Sequence, residues 1–173
     1  MTEQSNTKVC HKSPSGNIIT PEGRAMFVNY LVEPHENDQG KMVHSLEICL
    51  PPEVDLKMLK NALALVAMEN CDNDKDLAKS YVEKKLLNPT RLESGKSRGD
   101  EFKGWTLIRA TSNQCPDFVW PNGQRMSIED AKKTLKSGFW IRATVNAYWY
   151  QNPKKRGVTL GLQNIQFLRP GPV

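Results

Sequence analysis

Residues 138–151 read GFWIRATVNAYWYQ, and this stretch decides the fold. Successive side chains of a β-strand point to opposite faces, so alternate residues share a face. One face is apolar throughout, and we expect it to point into the core: Phe139, Ile141, Ala143, Val145, Ala147 and Trp149. The other face, which we expect to be exposed, carries Trp140, Arg142, Thr144, Asn146, Tyr148 and Tyr150. The stretch therefore predicts a long strand with an aromatic and cationic outer face.

A second strand is predicted immediately after this one. Residues 152–157 read NPKKRG, which is typical of a turn, and residues 158–168 return to strand character. Earlier in the chain, residues 24–32, 42–50 and 105–112 are rich in strand-forming residues. Together these segments predict five main strands, with a long basic hairpin at the C-terminal end.

Helices are predicted between the strands. Apolar residues recur at helical spacing from Asp55 to Asn70, where Asp55 can serve as the N-cap. Residues 76–87 form a second candidate helix, and Ser127 with Asp130 has the spacing of a capping box at the start of a third.

This arrangement predicts a mainly β fold. Five long strands with helical material inserted between the second and third fit a closed five-stranded antiparallel barrel better than a sandwich or a parallel α/β sheet. The length of 173 residues suits one domain. We expect residues 1–23, which are polar and lack periodicity, to form a flexible arm, and residues 24–173 to form the single domain.

Positive charge is concentrated near the C-terminal end. Eight of the 24 Lys and Arg residues lie from Ala131 to Val173, and none of the 19 Asp and Glu residues does. A patch of one sign attracts polyanions through its field and through counterion release, although a basic surface can also serve solubility alone. Charge by itself leaves both interpretations open.

Exposed aromatic rings on a basic strand suit a single-stranded nucleic acid. Any base can stack on a flat ring, for about 1 to 3 kcal/mol each, whereas the bases of a duplex are already stacked and present only their edges. The candidate binding residues are Trp140, Arg142, Tyr148 and Tyr150 on the strand, Lys154, Lys155 and Arg156 on the turn, and Tyr30 and Arg109 on earlier strands. Arg24 and Trp105 are further candidates, and Trp105 fits the core equally well. Alternatively, the rings satisfy strand propensity and the turn serves solubility.

No pattern in the sequence indicates an enzyme, a metal site or a cofactor site. The phosphate-binding Gly-rich loop, G-x-S-x-G and H-E-x-x-H are all missing. The four cysteines, Cys10, Cys49, Cys71 and Cys115, are widely spaced and are predicted to be free thiols. No apolar run is long enough to span a membrane, and the first residues do not resemble a secretion signal. We expect a cytosolic protein that is not an enzyme.

The segments quoted above resemble bacteriophage single-stranded DNA-binding proteins long described only as a domain of unknown function. The hairpin from Gly138 to Gln166 is the most specific part, and Tyr30–Pro34, Leu46–Pro51 and Gly104–Ala110 follow in the family's order. The resemblance implies an OB-fold barrel that coats single-stranded DNA during phage replication or recombination, in the cytoplasm of the infected host cell, without catalysis. It implies that Trp140, Arg142, Tyr148 and Tyr150 are binding positions.

Partners other than DNA are less well defined by the resemblance. Proteins of this type often end in an acidic tail that recruits replication or recombination proteins, whereas this sequence ends in LRPGPV. Two alternative functions share the same surface: an RNA-binding or nucleic-acid chaperone module, and a phage protein-protein interaction module. The sequence does not indicate the oligomeric state.

Overall fold

The structure, a computed structural model, describes residues 8–13, 16–26, 28–36, 40–86, 102–151, 153 and 156–171. The strands of this part are β1 (His11–Lys12), β2 (Ile18–Ile19), β3 (Gly23–Met26), β4 (His35–Glu36), β5 (Met42–Leu50), β6 (Thr106–Ser112), β7 (Asp117–Val119), β8 (Arg125–Met126), β9 (Trp140–Gln151) and β10 (Arg156–Arg169). The helices are α1 (Asn29–Val32), α2 (Lys57–Asn70), α3 (Lys75–Lys85) and α4 (Ile128–Thr134). The prediction of a mainly β chain with inserted helices is confirmed.

Five strands pair in a closed cycle. The strand β3 pairs with β5, β5 with β6, β6 with β10, β10 with β9, and β9 again with β3. All of these pairings are antiparallel except that of β6 with β10, which is parallel at Gly161 and Thr111. The expectation of a wholly antiparallel arrangement was wrong at this junction, because an odd number of strands in a cycle cannot alternate direction at every neighbour.

The main core cluster includes side chains from all five strands of this cycle and from α2, and the hairpin predicted from residues 138–168 is confirmed. The strands β9 and β10 pair along the hairpin, from Gln151 opposite Arg156 at the turn to Trp140 opposite Arg169 at the other end. Ile141, Ala143 and Val145 are buried, while Ala147 and Trp149 are half-buried. The apolar face of β9 therefore points inward, as its period of two predicts.

Helices close the core and begin where the sequence indicates. The helix α2 buries Leu59, Leu63 and Ala67 against the sheet. The N-cap of α2 is Leu56 and not the predicted Asp55, whose carboxylate accepts a hydrogen bond from the N–H of Lys57 at 2.8 Å. The start of α4 is capped as predicted, since Oγ of Ser127 accepts a hydrogen bond from the N–H of Asp130 at 3.1 Å.

Two segments differ from expectation. The first strand ends at Met26, and Asn29–Val32 is helical because Leu31 is buried there, with its carbonyl accepting a hydrogen bond from Nδ1 of His44 at 2.9 Å. Residues 8–13 and 16–23, which we expected to belong to a flexible arm, pack on the sheet. Ile18 is buried and pairs with Val145 of β9.

Candidate nucleic-acid interface

The residues of β9 that were predicted to point outward pair with residues of β10 along the hairpin. The expectation of exposure was wrong for Thr144, which is buried where β2 pairs with β9. Each outward residue of β9 faces a partner on β10; the pairs are Trp140 and Arg169, Arg142 and Gln166, Thr144 and Asn164, Asn146 and Gly161, Tyr148 and Thr159, and Tyr150 and Gly157. A β-bulge at Gln163 interrupts the register. There, Nε2 of Gln163 donates a hydrogen bond to Oδ1 of Asn146 at 2.7 Å.

Tyr148 is the most exposed aromatic residue of β9. Its exposed fraction is 40%. The ring lies over Gly161, where a Cβ would approach Cε1 of Tyr148 to 3.2 Å. Glycine at position 161 therefore leaves the space into which the tyrosine ring settles, and the other side of the ring remains accessible.

Tyr150 is more enclosed than Tyr148. A Cβ at Gly157 would lie 3.1 Å from the hydroxyl oxygen of Tyr150 and 3.2 and 3.3 Å from two atoms of its ring, and Nζ of Lys85 lies 5.9 Å from the ring centroid. The ring is half-buried between the backbone of β10 and a lysine of α3. Tyr150 therefore holds a cation on its surface.

Trp140 lies at the opposite end of β9, about 27 Å from Tyr148 at the usual rise per residue. The guanidinium of Arg169 lies 4.8 Å from the Trp140 ring centroid, and the ring of Trp105 lies 6.2 Å away at a tilt of 41°. Trp140 is half-buried rather than exposed. The structure thus does not bring the two candidate rings together. Arg142, between them in sequence, is also half-buried.

Tyr30 and Arg109 meet on the outward side of β5 and β6. A groove of about 410 Å³ is lined there by Tyr30, His35, Ser45, Leu46, Glu47, Arg109 and Thr111. Tyr30 is 42% exposed, and its ring centroid lies 4.6 Å from that of His35. Nε of Arg109 donates to Oε1 of Glu47 at 2.7 Å, an ion pair in which the arginine is half-exposed and the carboxylate largely buried.

A row of small and polar residues connects this groove with Tyr148. Ser45 pairs with Thr111, Thr111 with Gly161, and Gly161 with Asn146, across four neighbouring strands. Strands lie about 4.8 Å apart, so the row is about 14 Å wide. We call these four residues the polar row. It links the groove at Tyr30 to the strand that carries Tyr148.

The basic turn is described only in part. Lys154 and Lys155 lie outside the described residues. Arg156 is exposed, and its Nε donates a hydrogen bond to the hydroxyl of Tyr81 on α3 at 3.1 Å. Sequence reasoning missed α3 as a neighbour of the turn, although Lys84 and Lys85 in its last turn were a visible basic pair.

Arg24 and Trp105 serve the packing of the protein. Arg24 is buried, its Nε donates to the carbonyl of Gly138 at 3.1 Å, and its guanidinium lies 4.9 Å from the ring centroid of Phe102. Trp105 contacts the same Phe102 edge to face. Both residues belong with a small apolar cluster on the outside of β5 and β6 that includes Cys49 and Leu107.

Cys10, Cys49 and Cys71 are buried, Cys115 is half-buried, and none of the four cysteines forms a disulfide. Burial raises the pKa of the Cys10 thiol to about 11 and also raises the pKa of Cys115. In the described part of the chain, no group of three His, Cys, Asp or Glu residues could hold a metal ion.

None of the described helices has the length and apolar character of a membrane-spanning segment.

Solved structures of phage proteins have the same fold. The single-stranded DNA-binding protein of bacteriophage Enc34 in complex with ssDNA has a TM-score of 0.78 at 16% identity, over 95% of this chain and 93% of that chain. A C-terminal truncation of the Enc34 protein has a TM-score of 0.76 at 15% identity, over 95% and 92%. The single-stranded DNA-binding protein gp2.5 of bacteriophage T7 has a TM-score of 0.59 at 12% identity, over 90% and 92%.

Comparison with curated protein sequences gave no match. The model of a protein family, described as the ssDNA-binding protein of Enterobacter phage Enc34, matches residues 16–173. This match spans nearly the whole sequence and confirms the resemblance on which the sequence analysis relied. The chain therefore belongs to the phage Enc34 family of single-stranded DNA-binding proteins.

Proposed function

We propose that this protein binds single-stranded DNA without regard to base sequence and protects it during phage DNA replication or recombination. The observation that carries the proposal is the accessible ring of Tyr148 over Gly161, at one end of the polar row. A base that stacks on this ring gains about 1 to 3 kcal/mol whatever its identity. Bases in a duplex are already stacked on each other and cannot use the ring.

We infer that the bound strand crosses the polar row toward Tyr30. Ser45, Thr111 and Asn146 offer hydroxyl and amide groups along this path. Tyr30 offers a second exposed ring at the far end. Arg109 is half-exposed beside it and can turn toward a phosphate, although its ion pair with Glu47 competes.

The cycle of strands supports an OB-fold barrel over residues 24–173. The strands β1 and β2, which precede position 24, extend its sheet beside β9. If β3, β5, β6, β9 and β10 are numbered 1 to 5 along the chain, they pair in the order 1-2-3-5-4. The groove at Tyr30 lies on the second and third of these strands, β5 and β6. In OB-folds, the face of strands 2 and 3 and the loops between strands 1 and 2 and between strands 4 and 5 bind oligonucleotides. Here those loops contain Tyr30 and the turn at Lys154 and Lys155.

This role needs no catalytic step, metal or cofactor. The protein would act in the cytoplasm of the infected host cell, where single-stranded phage DNA is exposed, and replication or recombination proteins would be its further partners. Stacking and phosphate contacts account for binding without chemistry at any bond.

The test is fluorescence anisotropy with labelled oligo-dT, a matched duplex and a matched RNA at two salt concentrations. We expect tight binding of oligo-dT, weak binding of duplex, and a fall of log K with log salt of about 0.7 per phosphate contact. Tyr148→Phe should bind like the wild type, and Tyr148→Ala should bind more weakly. Leu65→Ala, at another exposed position, serves as the control. Equal affinity for RNA would indicate the RNA-binding alternative, and no binding at low salt would overturn the proposal.

A further inference from the structure

We propose that Gln163, together with Asn146, hydrogen-bonds the polar edge of the base that stacks on Tyr148. The site holds one nucleobase of single-stranded DNA by its face, on the ring, and by its edge, on two amides. The proposal rests on the function proposed above, which uses only the face of the base. Gln163 is not among the binding residues that the strand pattern or the resemblance indicates.

Gln163 lies on the outer face of the sheet at the β-bulge of β10, where it is the extra residue in the register with β9. β-bulges re-aim side chains and are frequent next to functional sites. The side chain of Gln163 is exposed, and its Nε2 donates a hydrogen bond to Oδ1 of Asn146 at 2.7 Å. This bond holds the glutamine amide beside β9, on the face that carries Tyr148.

The two amides lie at one edge of the Tyr148 ring. A Cβ at Gly161 would lie 2.5 Å from Oδ1 of Asn146 and 3.2 Å from Cε1 of Tyr148. Both side chains therefore border the same small space, and the amide of Gln163 adjoins it through its bond to Asn146. Flat rings prefer to stack with an offset. A base that is offset toward this edge of the ring brings its polar atoms to the amides.

The two amides can both donate and accept hydrogen bonds. The bond between them uses one of the two N–H groups of Gln163 and leaves both N–H groups of Asn146. Among the residues that the structure describes, none donates to Oε1 of Gln163. Proteins that hold an unstacked base combine stacking with hydrogen bonds to its edge. Since every DNA base has both donors and acceptors on its edges, the pair of amides suits any base.

A glutamine on a strand can also serve the fold alone, and Gln166 of the same strand does so. Its Nε2 donates to the carbonyls of Trp120 and Pro121 at 3.4 and 3.1 Å, which ties β10 to the residues after β7. Gln163 bonds a side chain instead, at an exposed position where water can satisfy its amide. Such a bond adds little to the stability of the fold, but it orients both amides beside the ring.

The experiment compares Gln163→Ala with Gln166→Ala by anisotropy of two labelled oligonucleotides. One is oligo-dT, and the other is oligo-dT methylated at N3 of every thymine, which keeps its phosphates and its stacking face but lacks the N3–H donor. We expect the wild type to bind the methylated strand about 3- to 10-fold more weakly, the effect of one hydrogen bond. Gln163→Ala should weaken binding of oligo-dT to a similar extent and bring the ratio of the two affinities close to one. Gln166→Ala should keep the wild-type ratio.

The ratio of affinities separates a base contact from a structural role, because a variant that only disturbs the fold weakens binding of both oligonucleotides alike. Thermal melts check that both variants fold. A wild-type ratio in Gln163→Ala, or equal affinity of the wild type for the two oligonucleotides, would overturn the base-edge contact. The proposed function would still stand if the wild type binds oligo-dT and Tyr148→Ala weakens that binding. Failure of the wild type to bind oligo-dT would instead overturn the proposed function itself.

Discussion

The ring of Tyr148 lies on the outer face of the sheet where a side chain at Gly161 would otherwise be. A Cβ at position 161 would lie 3.2 Å from Cε1 of Tyr148 and 2.5 Å from Oδ1 of Asn146. Gly161 also pairs with Thr111 of β6, so any shift of its backbone would disturb the junction at which the cycle of strands closes. The absence of a side chain at this position thus determines where the tyrosine ring can lie.

Gly161→Ala should weaken binding of oligo-dT by displacing Tyr148, and it should lower the free energy of unfolding by about 1 to 3 kcal/mol through overpacking. The measurement is a double-mutant cycle with Tyr148→Ala, read by anisotropy. We expect no further loss of affinity when Gly161→Ala is added to Tyr148→Ala, because both changes remove the same stacking contact. Additive losses would show that Gly161 acts independently of the ring. Gly157→Ala, under the enclosed ring of Tyr150, is the control.

We expect Trp140 to contribute mainly to stability and Tyr148 mainly to DNA binding. Trp140→Ala removes a half-buried ring that contacts Trp105 and Arg169, and we expect a loss of about 2 kcal/mol in the free energy of unfolding. Tyr148→Ala should cost less than about 1 kcal/mol, as an exposed position does. Urea titrations of the two variants measure the difference, and equal losses would contradict this assignment.

Glu47→Gln should strengthen binding of oligo-dT because it releases Arg109 from its ion pair. We expect a few-fold gain in affinity at low salt and a steeper salt dependence, by about 0.7, for one added phosphate contact. Asp117→Asn is the matched control, since it releases Arg125 from an exposed pair of 3.1 Å outside the groove. If the two variants show the same salt dependence, Arg109 does not contact the strand.

The stability of the protein should fall in alkaline solution partly through Cys10. Burial raises the pKa of this thiol from 9.0 to about 11, so below pH 9 the neutral thiol is present in both states and its contribution is complete. Between pH 9 and 11 the unfolded thiol ionises while the buried one does not, which lowers stability by at most about 1.4 kcal/mol per pH unit. The difference in the free energy of unfolding between wild type and Cys10→Ala, measured by urea titration, should therefore shrink over this range. If this difference stays constant between pH 9 and 11, Cys10 does not contribute to the loss of stability.

The period of two in residues 139–151 was enough to predict the inward face of β9, as the buried Ile141, Ala143 and Val145 show. Periodicity could not predict how much of the outward face remains exposed. Arg169 covers Trp140 and Lys85 covers Tyr150, and both partners come from distant parts of the sequence. Exposure on a sheet depends on such long-range neighbours, whereas the direction of a side chain depends only on its own strand.

The first strand shows a second limit of sequence patterns. Strand-forming residues continue past Met26, yet the chain turns into a helix that buries Leu31 beside His44. Local propensity favoured an extended chain, and tertiary packing overrode it. The parallel junction of β6 and β10 was likewise invisible in the strand pattern, although it follows from closing a cycle of five strands.

The position of β10 in the cycle has a consequence for how the protein reaches its native state. This last strand completes pairings with both β9 and β6, the latter at Thr111, fifty residues earlier than its partner Gly161. During synthesis on a ribosome, the earlier strands emerge before the segment that joins them, so their sheet stays open until β10 has emerged. Contacts of such high sequence separation slow folding. We therefore expect the nascent chain to depend on β10 for cooperative collapse, and to expose unpaired strand edges to chaperones until that strand has emerged.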